Sequence, residues 1–188
     1  IKCGKSNYKI SGADPLEYPN MKFPECNYEI TMSSKEYRDG IEVTEKFVNP
    51  KETREQMTGI SVTERNREIV FIGTDGNALA KYTINPKAIK DWKDVIIPKV
   101  TASAICDIMN DKDVVDIFHN EKTIIAQSSD MTIISPLVDA IFPNTDPFFS
   151  TVQKCNIILH TMELKDALER IKLYTSEDSA MITFNIAG

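Results

Sequence analysis

The chain has 188 residues, 41% hydrophobic and 27% charged, an ordinary globular composition with room for one or two domains. No apolar run approaches the roughly 18 residues that a bilayer crossing needs, so no membrane partner is expected. A net charge of −6 argues against a tight grip on nucleic acid, which needs clustered Lys and Arg, but leaves room for a small basic surface on one face.

In chain order, residues 7–10 and 27–32 read as short strands. Ser33-Ser34-Lys35-Glu36 then has the spacing of a capping box, and the helix it opens sets Tyr37, Ile41, Thr44 and Phe47 on one stripe before Asn49-Pro50 stops it. Met57–Thr63 and Glu68–Gly73 form a hairpin across Glu64-Arg65-Asn66-Arg67. Ala78–Ile84 follows the turn Thr74-Asp75-Gly76-Asn77, and Val95–Pro98 is a short apolar strand. Ala102, Ile105, Ile108 and Met109 suggest a second helix ending near Asn110. Val114–Phe118 and Thr123–Gln127 make another hairpin, and Met131–Ser135 a further strand. Tight turns between strands imply antiparallel sheets, and helices segregated on one face imply an α+β class. The order reads as two similar β-α-β-β halves.

A longer repeat is superimposed on this. Tyr8-Lys9-Ile10, Glu17-Tyr18-Pro19-Asn20, Tyr28-Glu29-Ile30 and Gly40-Ile41-Glu42 correspond to Thr132-Ile133-Ile134, Ile141-Phe142-Pro143-Asn144, Asn156-Ile157-Ile158 and Ala167-Leu168-Glu169. The offset, about 125 residues, far exceeds a solenoid repeat of roughly 20–50 and matches a whole domain. The second helix copy carries Leu164, Leu168, Ile171 and Tyr174 on its stripe, with Thr161 as N-cap where Ser34 stands in the first. The chain is expected to hold the end of one domain, all of a second and the start of a third. It opens on Ile1-Lys2-Cys3-Gly4 without an initiator Met, as expected of a piece of a longer protein. Cys3, Cys26, Cys106 and Cys155 form no CxxC pair, and His119 and His160 have no partner at ligand spacing, so reduced thiols and no metal are expected.

Thr74-Asp75-Gly76-Asn77-Ala78-Leu79-Ala80 is the sharpest local motif. Chemically it is a hairpin turn, Gly supplying positive φ. Asp75 has no second carboxylate, histidine or metal-ligand pattern beside it in sequence, so a catalytic role lacks its partners.

Taken in order, several segments resemble the bacterial DNA polymerase III beta subunit family, the β sliding clamps. They are Tyr18-Pro19-Asn20, Thr53-Arg54-Glu55-Gln56-Met57-Thr58-Gly59-Ile60, Thr74-Asp75-Gly76 with Leu79-Ala80, Val95-Ile96-Ile97-Pro98-Lys99, and Leu137-Val138-Asp139-Ala140-Ile141-Phe142-Pro143. The resemblance covers essentially the whole chain. It implies the DNA-clamp fold, with residues 1–23 ending a first clamp domain, 24–150 a complete middle domain and 151–188 starting a third. It implies a non-catalytic, cytoplasmic processivity factor without cofactor, a homodimeric ring around duplex DNA. Its implied protein partners are the polymerase III catalytic subunit and the clamp loader, held through short linear peptides. Weak, nonspecific phosphate attraction suits sliding, because each tight contact would act as friction.

The same resemblance implies DNA contacts at Arg54, Gln56 and Lys99, with Lys35 and Arg38 on the first helix. The helix charges also fit ordinary solvated faces with i,i+4 pairs. Glu55 and Gln56 stand where the family often carries aromatics. The implied peptide pocket is walled by Met57, Thr74, Gly76, Asn77, Ala78, Leu79, Pro143 and Phe148, its remaining wall lying in a further C-terminal segment. Asn77 and Ala78 replace the family's His-Arg, removing a cation, a ring and several donors. Two other readings stay open: a stand-alone clamp-like interaction module that no longer encircles DNA, and a metal-dependent hydrolase around Asp75, which would need a second convergent acid or a His ligand set.

Overall fold

The computed structural model describes residues 1–9, 11, 12, 14, 23–109, 113–150, 157–174 and 182–185. The chain forms two compact units, Ile1–Pro143 and Asn144–Gly188. The first opens on a small hairpin, β1 (Lys2–Cys3) and β2 (Ser6–Asn7), turned at Gly4 with φ +59°. The strand expected over 7–10 therefore ends at Asn7 as far as it is described; Ile10 and the Tyr18-Pro19-Asn20 segment lie outside the described residues.

The body of this unit runs β3 (Tyr28–Ser33), α1 (Ser34–Thr44), β4 (Gly59–Arg65), β5 (Glu68–Thr74), β6 (Leu79–Ile84), β7 (Ala88–Lys90), β8 (Val95–Pro98), α2 (Lys99–Ile108), β9 (Val114–His119), β10 (Thr123–Gln127) and β11 (Thr132–Pro136). The expected strands and both helices are present. β7 was not expected, since three residues carry no periodic signal. β4 starts at Gly59 rather than Met57 because Glu55–Met57 close into a 3-10 turn. The capping box forms as the spacing predicts. The Ser33 hydroxyl accepts from the Glu36 N–H at 3.2 Å, and the Glu36 carboxylate accepts from the Ser33 N–H at 3.2 Å.

All pairings in the two large sheets are antiparallel. One sheet has the order β11-β10-β9-β3-β7, the other β6-β5-β4-β8. Two similar halves are recognisable, β3-α1-β4-β5-β6 and β8-α2-β9-β10-β11. Each half lends its first strand to the other's sheet: β3 pairs with β9 (Ile30 opposite Ile117), and β8 with β4 (Ile60 opposite Ile97). The halves therefore cannot part without breaking both ladders.

A single apolar core joins Ile30, Met32, Tyr37, Ile41, Ile60, Phe71, Ile97, Ile105 and Ile117. In α1, Tyr37, Gly40, Ile41 and Thr44 face it. The Tyr37 and Phe71 rings meet edge to face at 5.9 Å, and the α1 backbone at Gly40 lies directly on the Phe71 ring. The buried stripe of α2 is Ala102, Ile105 and Cys106, continued by Met109 at its C-cap, the i, i+3, i+4, i+7 pattern. Ile108, expected on that stripe, is off its angle and 56% exposed. Burial pushes the Cys106 thiol up to about 12, with Glu45, Asp107 and Glu42 adding to the shift and Arg38 opposing it. Cys3, Cys26 and Cys106 are free thiols; Cys155 lies outside the described residues.

His119 is fully buried at the end of β9. It stacks on Tyr28 at 4.6 Å and takes the Trp92 ring edge-on at 4.4 Å, its Nδ1 lying 2.9 Å from the Asn120 carbonyl oxygen. Burial lowers its pKa below the ordinary 6.5. The unfolded chain then binds more protons than the folded one below that value, so His119 removes stability as pH falls through 6.5 toward the folded pKa. Denaturant midpoints measured from pH 7.5 to 5 should drop less steeply in His119→Phe, which keeps the ring stack, than in the parent. Equal slopes would contradict this role.

Among the described residues the second unit holds a helical turn, α3 (Asp146–Phe149), and α4 (Thr161–Lys172). The repeat aligns the two helices: Ser34 and Thr161 are the first residues of α1 and α4, and the N-caps fall one residue earlier, at Ser33 and His160. On the α4 stripe Leu164 and Leu168 are half-buried, whereas Ile171 and Tyr174 are 41% and 90% exposed. An amphipathic stripe needs a covering layer, and the described residues of this unit do not complete one. The repeat's Asn156 lies outside the described residues.

Candidate functional site

Two connections meet at one end of the four-stranded sheet: the loop 48–58 leading into β4, and the turn between β5 and β6. The turn is built from its own polar atoms. The Thr74 hydroxyl donates to the Ala78 carbonyl at 2.7 Å and accepts the Gly76 N–H at 3.0 Å. Asp75 Oδ1 accepts the Ala78 and Asn77 N–H groups, both at 2.8 Å. These donors, Ala78 first, hold the Asp75 carboxyl below its ordinary range, with nearby Arg54 adding to the effect. Gly76 has φ +88°, a conformation that favours glycine.

Arg54 ties the loop to the turn. Its guanidinium donates to Glu52 through Nε at 3.1 Å and through a terminal nitrogen at 3.3 Å, and that nitrogen also reaches the Asp75 carbonyl at 3.2 Å. A Cβ at Gly76 would meet this guanidinium at 2.8 Å. The paired Arg54 side chain holds the Glu52 carboxyl down to about 2. Glu52 was not singled out from the sequence, although Glu52-x-Arg54 carries the signal of a local pair.

Of the expected pocket wall, Thr74 is buried, Met57, Ala78 and Leu79 are half-buried, and Gly76 and Asn77 are exposed. These six residues share this end of the sheet. Pro143 closes the first unit and is exposed, whereas Phe148 lies in the second unit's α3 and is 74% exposed.

The expected DNA-contacting cations are engaged within the chain. Lys99 Nζ donates to the Glu45 and Val48 carbonyls at 2.7 and 3.0 Å, fastening the start of α2 to the end of α1. Arg38 donates to the Met109 carbonyl at 2.6 Å, and Lys35 pairs with Asp39 at 2.7 Å. Gln56 is half-buried in the 3-10 turn. Lys99→Met should cost about 1–2 kcal/mol through the two lost carbonyl contacts, read as a lower denaturant midpoint. An unchanged midpoint would mean that this fastener is not formed.

Two halves that exchange their first strands, with paired helices inside a single core, define a DNA-clamp-type α+β domain. A sequence profile of the DNA polymerase III beta subunit central domain matches residues 31–144, and the chain belongs to that family. The beta sliding clamp of Staphylococcus aureus is 26% identical over 178 residues, covering 94% of this chain and 47% of its own length. That of Chlamydia muridarum is 24% identical over 188 residues, covering 100% and 51%. Among solved structures, the DNA polymerase sliding clamp of Bacillus subtilis matches with a TM-score of 0.83 at 24% identity, over 94% of this chain and 47% of that one. A putative DNA polymerase III beta subunit from Eubacterium rectale matches with the same TM-score at 21% identity, over 95% and 49%. The chain thus spans about half the length of the curated relatives it matches. Among the described residues no helix is long and apolar enough to cross a membrane, and no group of three or more His, Cys, Asp or Glu side chains could hold a metal ion.

Proposed function

We propose that this chain is the central part of a DNA sliding clamp. The parent protein is a non-catalytic processivity factor that encircles duplex DNA as a homodimeric ring and works in the cytoplasm. It tethers the polymerase III catalytic subunit and the clamp loader through short linear peptides. Residues 24–150 are its middle domain, flanked by parts of the first and third. The observation that carries this reading is the family match over 31–144 on a domain of two strand-exchanged halves. Peptides would dock against Met57, Thr74, Gly76, Asn77, Ala78, Leu79, Pro143 and Phe148. DNA would pass near Arg54, Gln56, Lys99, Lys35 and Arg38. The internal engagement of these cations supports a loose contact, in which topology rather than affinity retains the ring. The full-length parent, loaded on nicked circular DNA, should stay bound through gel filtration and be released when the circle is linearised. Equal loss from both forms would overturn encirclement and favour the stand-alone interaction module, a reading to which the same engaged cations also lend support.

A further inference from the structure

The opposite end of the four-stranded sheet carries a feature that peptide docking at Leu79 does not use. β5 runs from the Asn66–Arg67 turn to the Asp75–Ala78 turn, so its seven residues set the two ends roughly 20 Å apart. At the Asn66–Arg67 end lies an open cleft of about 510 Å³. Trp92 forms part of its wall, a half-buried indole fixed by its Nε1 donating to the Val62 carbonyl at 3.2 Å and by its edge contact with His119. Pro86 and Ile89 supply further apolar surface.

Backbone strain is concentrated here. Among the described residues the non-glycine positions with positive φ are Asn66 (54°), Arg67 (67°) and Asp91 (46°). Arg67 and Asp91 line the cleft, and Asn66 adjoins it. The register, Arg65 opposite Glu68, leaves a two-residue turn whose second position favours glycine, and this chain places arginine there. Strain of this kind persists where the side chain is wanted. Among the described residues neither Arg67 nor Lys87, the second cation of the cleft, makes a side-chain hydrogen bond or ion pair. Two carboxylates, Glu64 and Asp91, line the cleft with these two cations; Glu64 accepts the Arg67 N–H, and among the described residues neither carboxylate forms an ion pair with the Arg67 or Lys87 side chain.

We propose that this cleft is a second docking site, for a peptide that presents one carboxylate beside an aromatic or aliphatic side chain. The carboxylate would sit with Arg67 and Lys87, and the apolar side chain against Trp92, Pro86 and Ile89. Glu64 and Asp91 together restrict the occupant to a single acid, held between Arg67 and Lys87. The site is independent of the peptide pocket proposed above, so the two could be filled together.

Trp92 is the chain's single tryptophan, so its indole N–H resonance marks the cleft directly when followed in this chain. Capped tetrapeptides Gly-Phe-Asp-Gly, Gly-Phe-Lys-Gly and Gly-Ala-Asp-Gly would be titrated into the isotope-labelled chain. The first should give a saturable shift of that resonance and of the amides flanking the Asn66–Arg67 turn, and the other two shifts at least about tenfold weaker in affinity. Arg67→Gly relieves the positive-φ strain, so it should fold with an equal or higher melting temperature and still lose about tenfold in Gly-Phe-Asp-Gly affinity. Equal response to the Asp and Lys peptides, or unchanged binding in Arg67→Gly, would overturn the proposal.

Discussion

Gly73→Ala is expected to lower the stability of the chain by about 3 kcal/mol, a fall of about 10 °C in melting temperature. Gly73 sits near the end of β5 on the face that meets α1, and a Cβ there would collide with the Thr44 carbonyl oxygen at the helix end. Thr44 cannot yield. It is fully buried, and its hydroxyl donates to the Gly40 carbonyl at 2.7 Å. A clash with backbone cannot be relieved by a rotamer change, so β5 and α1 would have to separate, taking Phe71 out of contact with Tyr37. Gly12 provides the control. Nothing lies within 4 Å of a Cβ there, and Gly12→Ala should stay within about 0.5 kcal/mol. Equal melting of Gly73→Ala and the parent would mean that the sheet and helix do not approach this closely.

Leu79→Asp should weaken binding of a polymerase C-terminal tail peptide to the full-length parent by about 100-fold, with little change in melting temperature. Leu79 opens β6 opposite Thr74 and is only half-buried, so the fold can accept a change at its exposed side. An apolar anchor docked against it would lose its contact surface and meet a desolvated carboxylate, beside an Asp75 already held ionised by its backbone donors. Retained affinity would remove Leu79 from the pocket wall, and with it the residue-by-residue placement of the site. Encirclement would remain to be judged separately on circular DNA.

The local elements were legible because each carried its own signal. Ser33 and Glu36 announced a cap, Tyr37, Ile41 and Thr44 a buried stripe, and Thr74-Asp75-Gly76 a turn closed by its own side chains. Met57 was misplaced on a strand because the 3-10 turn before Gly59 has no periodicity to read. Ile108 was placed on the buried stripe although Cys106 occupies that angle. β7 escaped because three residues of edge strand look like loop. At the candidate site the turn was visible in sequence. The pair between Glu52 and Arg54 could be suspected from spacing, but not the reach of Arg54 to the Asp75 carbonyl, a contact across 21 residues.

By itself, the sequence determined the antiparallel α+β class, the two similar halves, and the motifs that mark the DNA polymerase III beta subunit family. The class and the halves follow from periods of two and 3.6 residues and from turn chemistry, which are local, whereas the family shows only as a resemblance of particular segments such as Thr74-Asp75-Gly76 and Val95-Ile96-Ile97-Pro98. Only the tertiary structure decided that β3 joins β9 and β8 joins β4, because several apolar strands of similar length could have paired and only the shared core selects among them. It alone decided what Lys99 and Arg38 do as well. A cation's place along the chain does not tell which carbonyls will stand within reach of it, and here packing brought α1 and α2 close enough for both side chains to hold the domain together.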